Sequence, residues 1–209
     1  MDVVVFGSTG RMGRLLVAGA LARDHSVTAF AGEPAAGQAD GRLRVVAGDV
    51  LDAEAVSAAV SPQEATLFAF EPAESRGTGS VNAEGMLNVV RAMKRHGVRR
   101  LICLSAGGIG PGREGSVTWF YDHFTKPLFL KSAFADLRHM EVTVRQSGLD
   151  WTIVRAPRLT DGGASGRFRI GPGFTLAGGT SIGRADLARF MLDQLETDEN
   201  RGHAVAIAY

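Results

Sequence analysis

The chain has 209 residues, with 23 Lys and Arg against 22 Asp and Glu and a formal net charge of +1, which argues against a nucleic-acid or anionic-membrane binder. Its 45% hydrophobic and 22% charged content are those of a globular domain, and the length suits one domain with a sizeable core. No apolar run reaches transmembrane length, and the one cysteine, Cys103, cannot close an internal disulfide, so a cytoplasmic location with no signal peptide is expected.

Strand and helix patterns alternate along the chain. Residues 2–6 read as a first strand and 11–23 as a first helix. Val27 to Ala31 is a second strand and Arg42 to Ala47 a third, followed by Gly48-Asp49-Val50. Residues 52–60 read as a helix with Asp52 as its N-cap. Thr66 to Phe70 is a fourth strand. Residues 80–96 form an amphipathic helix closed by Gly97. Arg100 to Ser105 is a fifth strand, and a glycine-rich loop runs from Ala106 to Gly115. A long helical stretch follows, interrupted at Pro127 and ending near Ser147-Gly148. Trp151 to Arg155 is a sixth strand, 184–196 a late helix and His203 to Ala208 a last strand. Repeated βα units predict an α/β fold, a Rossmann-type doubly wound parallel sheet in a single domain over 1–209.

The first βα turn carries the chemistry. Gly7-Ser8-Thr9-Gly10-Arg11-Met12-Gly13 has the spacing Gly-x-x-Gly-x-x-Gly between an apolar strand and a helix. There, the first glycine permits a tight turn and the second lets backbone approach a pyrophosphate. The third lets the helix pack close to the strand, with its N-terminus facing phosphate charge. Ligands in such sheets lie beyond the carboxyl ends of the strands. The loops at 7–13, 31–35, 48–50, 71–77, 105–115 and 156–165 therefore surround the expected site.

Motifs over nearly the whole chain carry a resemblance. They are the glycine loop, Gly48-Asp49-Val50, Glu84-Gly85 with Asn88-Val89-Val90, His96-Gly97-Val98, Cys103-Leu104-Ser105-Ala106, Ser147-Gly148-Leu149, Trp151 to Arg155, and Gly202-His203 with the terminal Tyr209. In these the chain resembles the NmrA-like atypical short-chain dehydrogenase/reductases, nearest the biliverdin-IXβ reductase/flavin reductase branch. The resemblance implies a nicotinamide cofactor, with Asp49 and the Val50 amide at the adenine and Ser105 beside nicotinamide and acceptor. It also implies that backbone after Pro157 reaches the carboxamide. Each has a plainer alternative: a turn cap for Asp49, a strand-end backbone bond for Ser105.

Several positions depart from the family pattern. Tyr121 is followed four residues later by Thr125, with Lys126 out of register, so the Tyr-x-x-x-Lys proton-transfer motif is absent. Arg138 stands where relatives often carry lysine; it either reaches the nicotinamide ribose or forms an exposed helical ion pair with Glu141. Arg155 reads as structural, bridging carbonyls beneath the site. Gly32, followed by Glu33, stands where close relatives have arginine. Arg11 either supplies the missing charge for a 2′-phosphate or is solvated at a helix start. NADP(H) is favoured, with NAD(H) as the alternative. Glu71 and Glu74 fall near the cofactor, where carboxylates are unfavourable unless they point away.

The expected function is an NAD(P)H-dependent reductase transferring hydride to a small planar acceptor (flavin, quinone or similar). The acceptor site would come from the 105–130 and 156–180 segments, with Trp119 and Phe120 as a platform, whereas Tyr121 and His123 read as core or surface packing, with pocket lining as the alternative. The partner is a small molecule, with neither nucleic acid nor membrane. The alternatives are a dinucleotide-binding redox sensor without turnover and an epimerase or isomerase of the same superfamily.

Overall fold

The computed structural model describes residues 1–32, 41–61, 63–70, 80–110 and 127–209. Glu33, the segment with Glu71 and Glu74, and Trp119, Phe120, Tyr121, His123, Thr125 and Lys126 lie outside them, so the expectations for those residues carry no structural counterpart.

In chain order the elements are β1 (Asp2–Phe6), α1 (Arg11–Ala22), β2 (Ser26–Ala31), β3 (Leu43–Ala47), α2 (Ala53–Val60), β4 (Ala65–Phe68), α3 (Val81–His96) and β5 (Arg100–Ala106). A short 3-10 turn at Gly107–Ile109 follows β5. The chain continues through α4 (Pro127–Arg145), β6 (Asp150–Ala156), β7 (Arg158–Thr160), β8 (Arg169–Pro172), β9 (Ser181–Gly183), α5 (Arg184–Glu196) and β10 (His203–Ala208).

The eight-stranded sheet has the order β3-β2-β1-β4-β5-β6-β10-β8, and β7 pairs with β9 separately. The strands are parallel except β8, which runs antiparallel to β10 with Ala206 opposite Gly171. The first six positions follow the doubly wound dinucleotide-binding order, whose direction of winding reverses between β1 and β4. The doubly wound parallel sheet is as expected, with one addition: a short antiparallel strand lies at the edge beyond β10. Pro127 is the first residue of α4, a position that suits a residue with fixed φ and no N–H; the residues before it, on which an interruption at Pro127 would depend, lie outside the described ones.

Central strands are buried on both faces, and their residues divide by parity. Val4 and Phe6 of β1 pack with Val56, Met86, Val89, Leu137 and Met140 under α2, α3 and α4. Val3 and Val5 pack with Met12, Leu16, Leu187 and Met191 under α1 and α5. This explains why the strands read as continuous apolar runs rather than alternating ones.

Helix ends are set by local chemistry. Asp52 accepts from the amides of Glu54 and Ala55 and caps α2, as its sequence position predicts. Gly97 closes α3 with φ +74°. The head of α3 is capped from another helix: Asp136 of α4 accepts from the Asn82 amide at 3.0 Å, the Asn82 side chain at 2.9 Å and the Ala83 amide at 2.8 Å.

The end of the chain is tied to α5 through Asp186. Its Oδ2 accepts from the Ser165 amide, the Ser165 hydroxyl and the Tyr209 hydroxyl at 3.0, 2.8 and 2.8 Å. Its Oδ1 accepts from the Gly166 amide at 2.8 Å. Burial pushes the Asp186 carboxyl upward, but the hydrogen bonds to Ser165, Gly166 and Tyr209 outweigh it and hold the carboxyl below its usual range. A depressed folded value stabilises above the unfolded carboxylate range and is lost as pH falls through the folded value. Asp186→Asn should therefore cost stability at neutral pH, and its gap to the unmodified protein should close below about pH 4. Melting temperatures recorded against pH check this; a gap constant from about pH 6 to about pH 2 would refute it.

Candidate functional site: the crevice at the head of α1

The crevice beyond β1 and β4 is built by the glycine turn. Gly7 takes φ +80°, a left-handed conformation. A Cβ on Gly13 would lie 2.0 Å from the Gly7 carbonyl oxygen and 2.7 Å from the Ser8 Cα, so α1 packs onto the turn at a distance only glycine allows. The Gly10 amide donates to the Gly7 carbonyl at 3.1 Å. Ser8 is buried, and its hydroxyl donates to the Phe30 carbonyl at 3.0 Å, pinning the turn to the end of β2. Gly10 occupies the N-cap of α1 without a capping side chain, and the first helical turn holds no acidic residue. Such a helix start suits an anion, because its amides and dipole present positive charge.

The next wall is the turn after β3. A Cβ on Gly48 would meet the Phe30 ring at 2.7 Å, and one on Gly85 of α3 would meet Val50 at 2.8 Å. Asn88 holds the same turn, donating to the carbonyls of Val50 and Leu51 at 3.1 Å each. Asp49 is exposed, and its Oδ1 accepts from the Leu51 amide at 2.9 Å. The plainer reading of Asp49 as a turn cap is therefore met, with its second oxygen making no hydrogen bond among the described residues.

Arg11, the first residue of α1, pairs with Asp161 beyond β7 at 3.2 Å; the two side chains are 63% and 69% exposed. Asp161 also accepts from Arg184 at 2.8 Å. Arg11 is thus neither simply solvated nor committed to a buried partner. Beside Gly32, nothing among the described residues comes within 4 Å of where a Cβ would lie.

Near the carboxyl ends of β5 and β6 lies a polar cluster that the sequence reading did not assemble. Ser105, near the end of β5, donates its hydroxyl to Glu141 Oε1 at 2.8 Å. Arg155 of β6 meets the same carboxylate through Nε at 2.9 Å and Nη2 at 2.5 Å. Its Nη1 donates to the Gly173 carbonyl at 2.7 Å, and its guanidinium lies 3.7 Å from the Phe174 ring centre. Ser105, Glu141 and Arg155 are each at most 4% exposed. Arg155 therefore bridges a carbonyl as expected, but its main partner is the Glu141 carboxylate.

The expected Arg138–Glu141 ion pair does not form. Glu141 turns inward, whereas Arg138 donates to the Ile109 carbonyl at 3.0 Å. The sequence did contain a signal: Glu141 shares one helical face with Leu137, Met140 and Val144, all buried, and an acid on an apolar stripe needs a buried partner. Pro157 follows β6 directly, next to the β5–β6 ladder in which Ser105 faces Arg155 and Ala106 faces Ala156. Cys103 is buried, and burial pushes its thiol well above its ordinary value, so it is unreactive core.

The comparisons with known proteins agree with this geometry. The family model described as NAD(P)H-binding matches residues 7–198. The chain belongs to this NAD(P)H-binding family. A curated relative, a 3-diazoavenalumate denitrifying reductase of a Streptomyces species, is 34% identical over 116 residues. That match covers 50% of this chain and 38% of the relative, so the chain spans well under half of that relative's length. Among solved structures, a wide-type short-chain dehydrogenase/reductase of Veillonella parvula in complex with NADP superposes with a TM-score of 0.83. It is 17% identical, with 100% of this chain and 94% of that chain covered. An anaerobillin reductase of Escherichia coli O157:H7 superposes at 0.76, with 20% identity and coverage of 100% and 97%. These likenesses establish the Rossmann-type fold. Among the described residues, no helix is long and apolar enough to cross a membrane, and no group of three His, Cys, Asp or Glu could hold a metal.

Proposed function

We propose that this NAD(P)H-binding protein is a cytoplasmic reductase of a small planar acceptor, of flavin, quinone or similar chemistry, with cofactor and acceptor held by one domain. The observation that carries the proposal is the close packing of Gly13 on the Gly7 carbonyl, which brings the uncapped head of α1 onto the glycine turn. The backbone of Gly7, Ser8, Thr9, Gly10, Arg11, Met12 and Gly13 holds the pyrophosphate. Asp49 and the Val50 amide take the adenine; Ser105 and the backbone at Pro157 take the nicotinamide end. The bound reduced nicotinamide supplies hydride. The chain's own task is to orient the acceptor plane and keep water away from it. Two similar proteins are reductases by name, which supports the reading.

NADP(H) is the favoured cofactor. The Arg11–Asp161 pair is exposed on both sides, so exchanging Asp161 for a phosphate costs Arg11 little, and a guanidinium suits that anion. Among the described residues nothing crowds Gly32, where the extra group would lie. A solved neighbour holds NADP.

The test has two steps. Calorimetric titration of NADPH and NADH should show the phosphorylated form bound more tightly, and Arg11→Ala should weaken NADPH by at least about tenfold while sparing NADH. Equal weakening of both would sink the role of Arg11. Mixing the protein with NADPH and FMN, riboflavin or a quinone should then consume the nicotinamide absorbance; no loss with any acceptor would overturn the reductase assignment.

A further inference from the structure

The direction of the Ser105 hydroxyl follows from its partners. A serine hydroxyl has one proton to donate and lone pairs to accept with, while a guanidinium can only donate. Glu141 Oε1 receives Arg155 Nε and Oε2 receives Arg155 Nη2, with Arg145 Nη2 a further 3.5 Å from Oε2. Both oxygens of Glu141 therefore already face N–H groups, which leaves neither to carry a proton toward Ser105. The hydrogen bond between Ser105 and Glu141 must be donated by Ser105, and its 2.8 Å length fits a hydroxyl on a carboxylate.

We propose that Glu141, clamped by Arg155, is a positioning residue that fixes Ser105 as a hydrogen-bond acceptor, so that Ser105 receives the carboxamide N–H of the bound nicotinamide. The proposal rests on the reading of the crevice as a nicotinamide dinucleotide site. It also leaves Ser105 no proton to donate to an oxyanion developing on the acceptor, because that proton is held by Glu141.

The carboxamide is favoured over the acceptor by chemistry. A quinone presents carbonyl oxygens, which compete with the Ser105 lone pairs instead of filling them. The carboxamide brings two N–H groups whatever the acceptor is. Register supports the placement: Ser105 stands opposite Arg155 and Ala106 opposite Ala156, so Ser105 lies beside the strand end that leads into Pro157. The clamp is rigid because Arg155 also grips the Gly173 carbonyl and stacks on Phe174. A Cβ on Gly107 would come within 2.7 Å of the Phe174 carbonyl, so the turn after β5 sits directly on that segment.

The test compares NADP with its 3-acetylpyridine analogue, in which a methyl group replaces the carboxamide nitrogen. Calorimetric titration should show the unmodified protein preferring NADP by about tenfold, the scale of one hydrogen bond to a strongly polarised partner. Ser105→Ala should erase the preference by weakening NADP alone. Ser105→Thr, which keeps the hydroxyl, should retain it. Glu141→Gln should reduce the preference, because an amide at this position can donate to Ser105 and free its proton.

A merely structural role would lower both affinities together and leave their ratio unchanged, and that result in Ser105→Ala would overturn the proposal. Loss of the preference in Ser105→Ala with full retention in a folded Glu141→Gln protein would overturn the part assigned to Glu141. If the unmodified protein bound neither dinucleotide, the nicotinamide reading itself would fall, an outcome distinct from binding without discrimination.

Discussion

Gly13→Ala is expected to lower stability by about 3 kcal/mol and to weaken dinucleotide binding by about 100-fold. Helix propensity points the other way, since alanine inside a helix gains about 1 kcal/mol over glycine. Contact decides the sign. The new methyl would sit 2.0 Å from the Gly7 oxygen and 2.7 Å from the Gly7 carbonyl carbon and Ser8 Cα. All three are backbone atoms that no rotamer change can move. The first turn of α1 must slide away from β1, or the Gly7 turn must open, and either displaces the amides meant for the pyrophosphate. Thermal unfolding and calorimetric titration with NADPH measure both effects. A protein as stable as its parent that binds NADPH normally would show that the close packing of turn and helix has no functional weight.

Removing one side of the buried ion pair should produce a comparable loss of stability. Arg155→Met would leave the Glu141 carboxylate 4% exposed, with the Ser105 hydroxyl and a 3.5 Å contact to Arg145 as its remaining partners. Stranding a buried charge costs about 3–5 kcal/mol, which in a chain of this size lowers the melting temperature by roughly 10 °C. Changing both members, Glu141→Leu with Arg155→Met, should recover most of the loss, because apolar replacement of a buried pair is often near neutral. Urea unfolding of the three variants decides the matter: a double variant no better than Arg155→Met would mean that the arginine matters for its hold on Gly173 and Phe174 rather than for charge balance.

Much of this architecture is written locally. The glycine turn between an apolar strand and a helix, the Asp52 cap and the Gly97 stop each depend on residues within one turn of themselves, and each is found where the pattern puts it. The bounds of α5 and β10 also follow from periodicity and agree with the structure. What escaped depends on distant pairing. β7, β8 and β9 have three or four residues each, too few to show a period, and β8 contains Gly171 and Pro172, which read as a turn. The partner of Glu141 escaped for a related reason. Helical spacing favours Arg138, three residues away, whereas the true partner lies 14 residues on, in the neighbouring strand.

The cap that α4 lends to α3 has its own consequence. Asp136 satisfies the Asn82 and Ala83 amides from outside their helix, so α3 cannot keep its first turn if α4 departs, and α4 cannot loosen without stranding a buried carboxylate. The two helices therefore fray as one cooperative unit, and their amides should exchange with solvent at a shared rate.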